Sequence, residues 1–425
     1  MSIKAHTIWN IAGSAVPLLV AAVAIPSLVH SLGVESFGIL TLIWTLIGYF
    51  SLFDLGLGRA ITHHVSSKLQ TVPMAEIINR INVGLIYALI AGLLGSVLIL
   101  VLAEPLSSSW IKVSSNIQNQ TYLAFIFSAL AIPFVALSSG MKGVLEAFGQ
   151  FDRVNVVRIF QGITTFALPI LSVHIYGPNL GAIALLLGLS RVVVLLLYLL
   201  FISKHVGKHW LSSFGNLKFD LSLLKFGAWM TLSNIVSPLL IYLDRFVISS
   251  VMGGQVVAYY TVPFEILTRL LIIPGAMGSA LFPKLTSEYH NESESVGQLL
   301  KNSLITITLV MTVLCLLVFM LYQPLVSWWI SKEFADASSE VASFLVIGIW
   351  MNSIGFIIYT AVQAKVGAKQ TALLHLTELA LFIPMLYIFL VEMGIVGAAI
   401  AWTIRVSFDA LGMFWLLKRS HQYAI

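Results

Sequence analysis

The sequence predicts an all-α polytopic membrane protein with twelve transmembrane helices, arranged as two six-helix lobes around a central charged cavity. Composition is the first observation: the 425 residues are 59% hydrophobic and only 10% charged, with a mean hydropathy of +0.96. Soluble domains carry about a quarter charged residues. The second observation is that apolar stretches of about 20 residues, the length that crosses a bilayer, recur along the whole chain. The third is a weak internal repeat between the two halves.

Each predicted span is an apolar run bounded by polar or turn-forming residues. The first six spans fall at 7–29, 37–58, 82–103, 121–146, 155–175 and 181–203. After a polar link, six more fall at 223–249, 256–279, 301–322, 338–363, 371–391 and 395–417. We therefore predict three parts of the chain: an N-terminal lobe over 1–205, a cytoplasmic linker over 206–220 and a C-terminal lobe over 221–425.

The internal repeat joins corresponding turns of the two lobes. Residues 30–41 follow the first span and resemble residues 251–261, which follow the seventh. Residues 181–184 open the sixth span with Gly-Ala-Ile-Ala, and residues 397–401 open the twelfth with Gly-Ala-Ala-Ile-Ala. An arginine follows within each of these two spans. Parallel repeats of this kind are typical of transporters whose substrate site lies at the repeat interface.

The basic residues predict the orientation of the chain. Most of the 23 Lys and Arg fall in links on one side or at the span ends nearest to that side, and only Lys112 and Lys332 fall in links on the other. Cytoplasmic loops are the ones enriched in Lys and Arg. We therefore predict that both termini are cytoplasmic. The same asymmetry explains the net charge of +5 without a nucleic-acid partner.

The short polar links argue against an enzyme. They leave no room for a soluble catalytic domain, and the chain contains no phosphate-binding Gly-rich loop and no His-Glu-x-x-His motif. Cys315 is the single cysteine, so the sequence offers neither a disulfide framework nor a cysteine metal site. We predict a protein without cofactor or metal.

The stretch 241–284 is the most informative part of the chain. It contains two apolar segments joined by a short turn, and four charged residues lie within them: Asp244, Arg245, Glu265 and Arg269. A charged side chain at bilayer depth costs from about 2.5 to over 10 kcal/mol, so such residues pair with one another or line a watery cavity. We therefore predict a charged interior that handles a charged substrate.

Four short segments carry a family resemblance: 32–38 (LGVESFG), 53–60 (FDLGLGRA), 243–247 (LDRFV) and 258–260 (AYY). With them, the chain resembles the polysaccharide-transporter branch of the multidrug/oligosaccharidyl-lipid/polysaccharide exporter superfamily, and most of all the O-antigen flippases. The resemblance implies a protein of the bacterial cytoplasmic (inner) membrane. It also implies a substrate of one oligosaccharide repeat unit on undecaprenyl pyrophosphate, and an O-antigen polymerase and chain-length regulator as partners in the same membrane.

Arginines within or beside the spans are the candidate ligands for such a headgroup, because guanidinium presents a planar, always-charged fork to phosphate oxygens. They are Arg191, Arg245, Arg269, Arg405 and Arg59. Arg191 has no acid nearby on its own helix. Each of the others also has a structural interpretation, such as snorkelling or pairing with a nearby acid.

The structural alternatives follow from helical spacing. Glu265 lies four residues before Arg269, and Asp409 lies four residues after Arg405, so each acid shares a helix face with its arginine. At the inner end of the second span, Asp54 and Arg59 flank a Gly-Leu-Gly turn. They are equally suited to cap that helix or to receive the headgroup.

Acidic residues within spans are candidates for ion coupling or charge pairing, a group in which we place Asp54, Asp244, Glu265, Glu378 and Asp409. His375 lies three residues from Glu378 on one helix face. The pair therefore predicts either a proton carrier or a polar contact between helices. A secondary exporter of small solutes with the same fold is the alternative function, and four in-span arginines favour the anionic lipid.

Overall fold

A computed structural model describes residues 3–48, 57–66, 69, 72–207, 210, 240, 242–290, 295–366 and 368–419. All regular elements in these ranges are helical. The chain divides into two compact units, Met1–Pro238 and Leu239–Ile425. Of the predicted linker 206–220, only residues 206, 207 and 210 belong to the described part, so the predicted lobe boundaries stay a prediction.

The N-terminal unit is built around one central helix, α4, which packs against α1, α2, α3 and α6, while α5 packs against α1 and α6. Helix α4 is the most buried of the long helices of this unit. A one-turn π-helix, Leu106–Trp110, follows α3. The helices are α1 (Ile3–Gly48), α2 (Leu57–Ser66), α3 (Met74–Pro105), α4 (Gln118–Ala147), α5 (Phe151–Tyr176) and α6 (Leu180–Val206).

The C-terminal unit has the same kind of centre. Its most buried helix, α11, packs against α8, α9, α10 and α12. A short 3₁₀ segment, Arg269–Leu271, joins α8 to α9. The helices are α7 (242–252), α8 (Gly254–Thr268), α9 (Ile272–His290), α10 (Ser295–Trp329), α11 (Lys332–Lys365) and α12 (Ala368–Arg419).

Two helices are each broken at a glycine. Gly33 within α1 has φ 77° and ψ 160°, and Gly394 within α12 has φ 62° and ψ −150°. A side chain with a Cβ rarely adopts positive φ, so glycine allows the chain to turn there. Both glycines lie where the sequence predicts one span to end and the next to begin.

Nine helices in the described part of the chain are long and apolar enough to cross a membrane, and two of these contain the glycine breaks. The predicted span 256–279 is interrupted by the 3₁₀ segment. Residues 49–56 of the predicted span 37–58 and most of the predicted span 223–249 lie outside the described residues, so the number twelve stays a prediction.

Small residues allow close helix crossings in both units. A methyl group added to Gly143 of α4 would overlap the carbonyl of Gly58 in α2. In the C-terminal unit, a Cβ on Gly348 of α11 would lie 2.5 Å from the ring of Trp402 in α12. Transmembrane helices associate through such close packing because lipid provides no hydrophobic force between them.

The outer face of the helices is strongly apolar. Trp328 of α10 is 86% exposed, and Leu309, Val313 and Met320 of the same helix are also exposed. In water such a surface would be a large interaction patch, whereas in a bilayer it contacts acyl chains. The protein is therefore a multi-pass membrane protein.

Candidate functional site

Asp244 is a fully buried carboxylate near the beginning of α7, nine residues before the turn at Gly253. The hydroxyl of Tyr260 donates a hydrogen bond to its Oδ2 at 2.6 Å, and the backbone N–H of Arg245 donates to its Oδ1 at 2.7 Å. Both oxygens therefore have donors, as a buried carboxylate requires. Both donors are neutral groups, so the ion-coupling or charge-pairing role of Asp244 stays a prediction.

Arg245 and Arg269 share one carboxylate, that of Glu265. Arg245 Nη2 lies 2.6 Å from Glu265 Oε1, and Arg269 Nη2 lies 3.0 Å from Oε2. Arg245 is only 2% exposed, so it does not snorkel to an interface. The helical pairing of Glu265 with Arg269, which the spacing predicts as one alternative, is present.

A second charged cluster joins the two halves of α12. Arg405 Nη1 lies 3.7 Å from Glu378 Oε2, and His375 Nε2 lies 3.5 Å from Asp409 Oδ1. The carboxyl groups of Glu378 and Asp409 also lie close enough for their charges to affect each other. The shortest contacts thus differ from those suggested by spacing alone, because the break at Gly394 places the two halves of α12 against each other.

Aromatic rings connect these two clusters. The guanidinium of Arg245 lies 5.7 Å from the ring centre of Phe264, whose own ring contacts that of Trp402 edge-on at 5.1 Å. The guanidinium of Arg405 lies 5.9 Å from Trp402 and 5.6 Å from Phe382. Cations over aromatic faces are favourable, and more so when desolvated.

The site therefore contains aromatic residues that the sequence interpretation did not single out. Arg405 lies close enough to Asp244 for their charges to interact, and Arg245 beside Asp244 pairs with Glu265, so the charges of α7, α8 and α12 form one network within the C-terminal unit. One available signal was the four-residue spacing of Tyr260 and Phe264, which places both rings on one face of α8. Aromatic residues are so common in membrane spans that spacing alone did not distinguish them.

The network nearly neutralises itself. Among its described members, three arginines (Arg245, Arg269 and Arg405) face four carboxylates (Asp244, Glu265, Glu378 and Asp409), with His375 beside the last of these. With the histidine neutral, one negative charge is in excess. This part of the interior is therefore less cationic than the arginines suggest when they are counted alone.

Arg191 lies in the N-terminal unit and is the exception. Its side chain is buried, and Nη2 donates a hydrogen bond to Thr165 Oγ1 of α5 at 3.1 Å. Its Nε and Nη1 have no hydrogen-bond partner in the part of the chain that the structure describes, and no carboxylate there pairs with it. At 1.5 Å per residue, Arg191 lies about 16 Å along α6 from its first residue. An anionic ligand would compensate this buried charge.

The remaining predicted site residues lie at the inner end of the second predicted span. Asp54 is outside the described residues, and Arg59 belongs to α2 but its side chain is also outside them. Their roles stay predictions. In the described ranges, no three His, Cys, Asp or Glu side chains are grouped so that they could hold a metal ion.

Comparison with known sequences identifies the chain's relatives. Residues 3–288 match the family described as polysaccharide biosynthesis protein. A Shigella flexneri protein named "Putative O-antigen transporter" is 31% identical over 99% of this chain and 98% of its own length. A Salmonella typhi protein of the same name is 24% identical over 62% of this chain and 60% of its own length.

Solved structures show the same fold. An inward-facing multidrug resistance MATE family transporter of the MOP superfamily superposes with a TM-score of 0.81 at 15% identity, covering 100% of this chain and 97% of the other. A MOP superfamily transporter from Pyrococcus furiosus gives a TM-score of 0.67 at 17% identity, covering 97% and 94%. The all-helical fold of the MOP transporters is therefore the fold of this chain.

Proposed function

This chain belongs to the polysaccharide biosynthesis protein family, and we propose that it is a flippase for lipid-linked oligosaccharide. It turns one O-antigen repeat unit on undecaprenyl pyrophosphate from the inner to the outer leaflet of the bacterial cytoplasmic membrane by alternating access. The full-length similarity to a protein named as an O-antigen transporter supports this function. The homologues are transporters, and the chain is likewise a membrane transporter rather than an enzyme.

Arg191 is the observation that carries the choice of an anionic substrate. A buried guanidinium with two nitrogens lacking hydrogen-bond partners among the described residues is unfavourable. A pyrophosphate oxygen would supply both the counter-charge and the missing acceptor. The arginines of the C-terminal unit are paired with acids and bind a headgroup only after releasing them.

The lobe organisation is part of the same proposal. Gly33 and Gly253 have similar backbone angles (φ 77°, ψ 160° and φ 99°, ψ 166°). Gly177 and Gly394 form a second similar pair (φ 72°, ψ −170° and φ 62°, ψ −150°). The first pair of turns follows the first and seventh predicted spans, and the second pair follows the fifth and eleventh. Corresponding turns in the two halves support twelve spans in two parallel lobes with both termini in the cytoplasm. We also propose that an O-antigen polymerase and a chain-length regulator act beside this transporter in the same membrane.

Flipping by the purified protein in vesicles tests this function. Undecaprenyl-pyrophosphate oligosaccharide is placed in proteoliposomes, and a membrane-impermeant glycosidase reports how much sugar is exposed outside. We expect the protein to accelerate the exchange of substrate between leaflets relative to protein-free vesicles. Unchanged exchange, together with transport of a fluorescent organic cation, would instead establish the second candidate.

That second candidate is a secondary exporter of small solutes. The four carboxylates of the C-terminal network favour it, because buried acids bind organic cations, and so does the fold shared with a multidrug transporter. Arg191 argues against it, since an unpaired buried cation repels a cationic solute. The anionic lipid therefore accounts for more of the observed side chains.

Coupling to protons completes the proposal and rests on Glu378. Its side chain is buried, and neither of its carboxyl oxygens has a hydrogen-bond donor among the described residues. It faces Arg405 and Asp409, and Asp409 in turn lies beside His375. Two ionised carboxylates have no proton to share, so one proton taken up by the pair would supply the bond between them and balance the charges of the network.

The Glu378→Gln variant tests this coupling, because glutamine resembles the protonated carboxyl group but cannot release a proton. We expect flipping by this variant to lose its dependence on a pH gradient across the vesicle membrane. Glu392→Gln is the matched control, since Glu392 is an exposed carboxylate on the same helix. Full gradient-driven flipping by Glu378→Gln would exclude the relay.

A further inference from the structure

Glu265 occupies an unusual position because its two carboxyl oxygens hold two different arginines. Oε1 contacts Arg245 at 2.6 Å, and Oε2 contacts Arg269 at 3.0 Å. One carboxylate cannot neutralise two guanidinium groups, so this triad carries one positive charge. The buried carboxylate of Asp244, which belongs to the same network, offsets this charge on the Arg245 side, so the guanidinium that an added anion can reach is that of Arg269.

The two arginines have very different surroundings. Arg245 is 2% exposed, and its guanidinium also lies 4.9 Å from the ring centre of Tyr242 and 5.7 Å from that of Phe264. The side chain of Arg269 is 51% exposed. Exposed ion pairs contribute little to stability, whereas removing one partner of a buried pair is strongly destabilising. Arg245 is therefore the fixed partner of Glu265, and Arg269 is the partner that can exchange.

Arg269 also lies at a break in the helix. It begins the 3₁₀ segment Arg269–Leu271, which is followed by Pro274 in the first turn of α9. Proline has no N–H to donate to the carbonyl four residues earlier, here that of Leu270, and its ring crowds that carbonyl. Short 3₁₀ stretches inside long helices are frequent hinge positions. The Glu265–Arg269 pair spans the start of this break.

An exposed arginine at this depth needs water. Arg269 lies inside the predicted span 256–279, about 24 Å along the helix from the turn at Gly253. Charged side chains at such depths face protein or a water-filled cavity instead of lipid. A water-filled cavity beside the exposed side chain of Arg269 would let a ligand reach the guanidinium.

We propose that Glu265 is a positioning residue that holds the guanidinium of Arg269 at the Pro274 hinge and releases it to an incoming ligand that bears phosphate groups. The inference rests on the proposed function and deepens it by naming the exchanging arginine. A pyrophosphate group carries more charge than one carboxylate and accepts a bidentate pair of hydrogen bonds, so it displaces Glu265 from Arg269. Glu265 keeps its bond to Arg245, and the hinge loses the contact that spans it.

Binding of inorganic pyrophosphate to the purified full-length protein tests the exchange by isothermal titration calorimetry. The Glu265→Gln variant removes the competing carboxylate, so we expect its affinity for pyrophosphate to rise about two- to fivefold, the range that corresponds to the strength of an exposed pair. We expect Arg269→Gln to bind about 10- to 100-fold more weakly, because it loses a charge-assisted contact. Glu76→Gln breaks the exposed Glu76–Arg80 pair on α3, has the same four-residue spacing and should bind like the wild type.

The double variant Glu265→Gln/Arg245→Met controls for misfolding of the single variant, since Glu265→Gln alone removes the carboxylate that pairs with the buried Arg245. We expect the same rise in affinity in the double variant. A purely structural Glu265 predicts unchanged or weaker binding in every variant that lacks it, and that result would overturn the inference while leaving the flippase function intact. A wild-type protein that neither binds pyrophosphate nor flips the lipid would contradict the proposed function itself.

Spin labels on each side of the hinge report its movement. Gln255 and Lys284 are exposed, and both can be replaced by cysteine in a Cys315→Ser background. We expect pyrophosphate to change the distance distribution between the two labels in the protein with Arg269, and to leave it unchanged in Arg269→Gln. An unchanged distribution in both proteins would show that ligand exchange does not move the hinge.

Discussion

The Arg191→Ala variant is expected to lose most of its transport while reaching normal levels in the membrane. A charge-assisted hydrogen bond contributes about 1.5–3 kcal/mol, so removal of the guanidinium should lower substrate affinity about 10- to 100-fold. Surface polysaccharide in a flippase-null strain measures the effect, with immunoblotting of membranes as the check on protein level. Arg191→Lys should restore part of the transport, because lysine keeps the charge but loses the planar fork.

A matched control separates substrate binding from general loss of a basic residue. Arg80 of α3 forms a partly exposed pair with Glu76 at 2.9 Å, and such pairs contribute about 0.2–1 kcal/mol. Arg80→Ala should therefore transport like the wild type. Arg191→Glu should be the most defective variant, because a carboxylate repels the headgroup. Normal transport by Arg191→Ala at normal protein level would contradict the assignment of this residue to substrate binding.

The Arg245→Met variant is expected to lose stability instead of selectivity. Loss of this arginine removes the guanidinium that lies 2.6 Å from Glu265. Breaking a fully buried ion pair from one side typically costs about 3–5 kcal/mol. The cost here lies at the lower end of that range or below it, because Glu265 is 25% exposed and keeps Arg269. We expect a clear fall in the thermal unfolding midpoint of the detergent-solubilised protein and less protein in the membrane.

Removing both partners should reverse much of this loss. The double variant Arg245→Met/Glu265→Gln removes both members of the pair, and replacing both members of a buried pair is often neutral. Its unfolding midpoint should lie closer to that of the wild type than to that of Arg245→Met. If Arg245→Met is instead as stable as the wild type but inactive, Arg245 contacts the substrate and its pairing with Glu265 is incidental.

The sequence by itself determined the class of protein and the approximate place of most spans. Hydropathy and the positions of turns are local properties, so the helices α3, α4, α5, α6, α10 and α11 each contain their predicted span. It also identified the charged residues, because an ionisable side chain within an apolar run is conspicuous at any position. The Glu265–Arg269 pair could be predicted for the same reason, since four-residue spacing on one helix is local.

Only the tertiary structure decided which charges meet across helices. Arg405 shares a helix face with Asp409, yet its ion pair is with Glu378. His375 shares a helix face with Glu378, yet its ion pair is with Asp409. Helical spacing makes a pair possible, but the packing of the two halves of α12 brings other carboxylates near each basic residue. Which pair forms then depends on distance and orientation in the folded chain. The burial of Arg245 and the lack of an acid beside Arg191 in the described structure were decided in the same way, because both depend on neighbours distant in sequence.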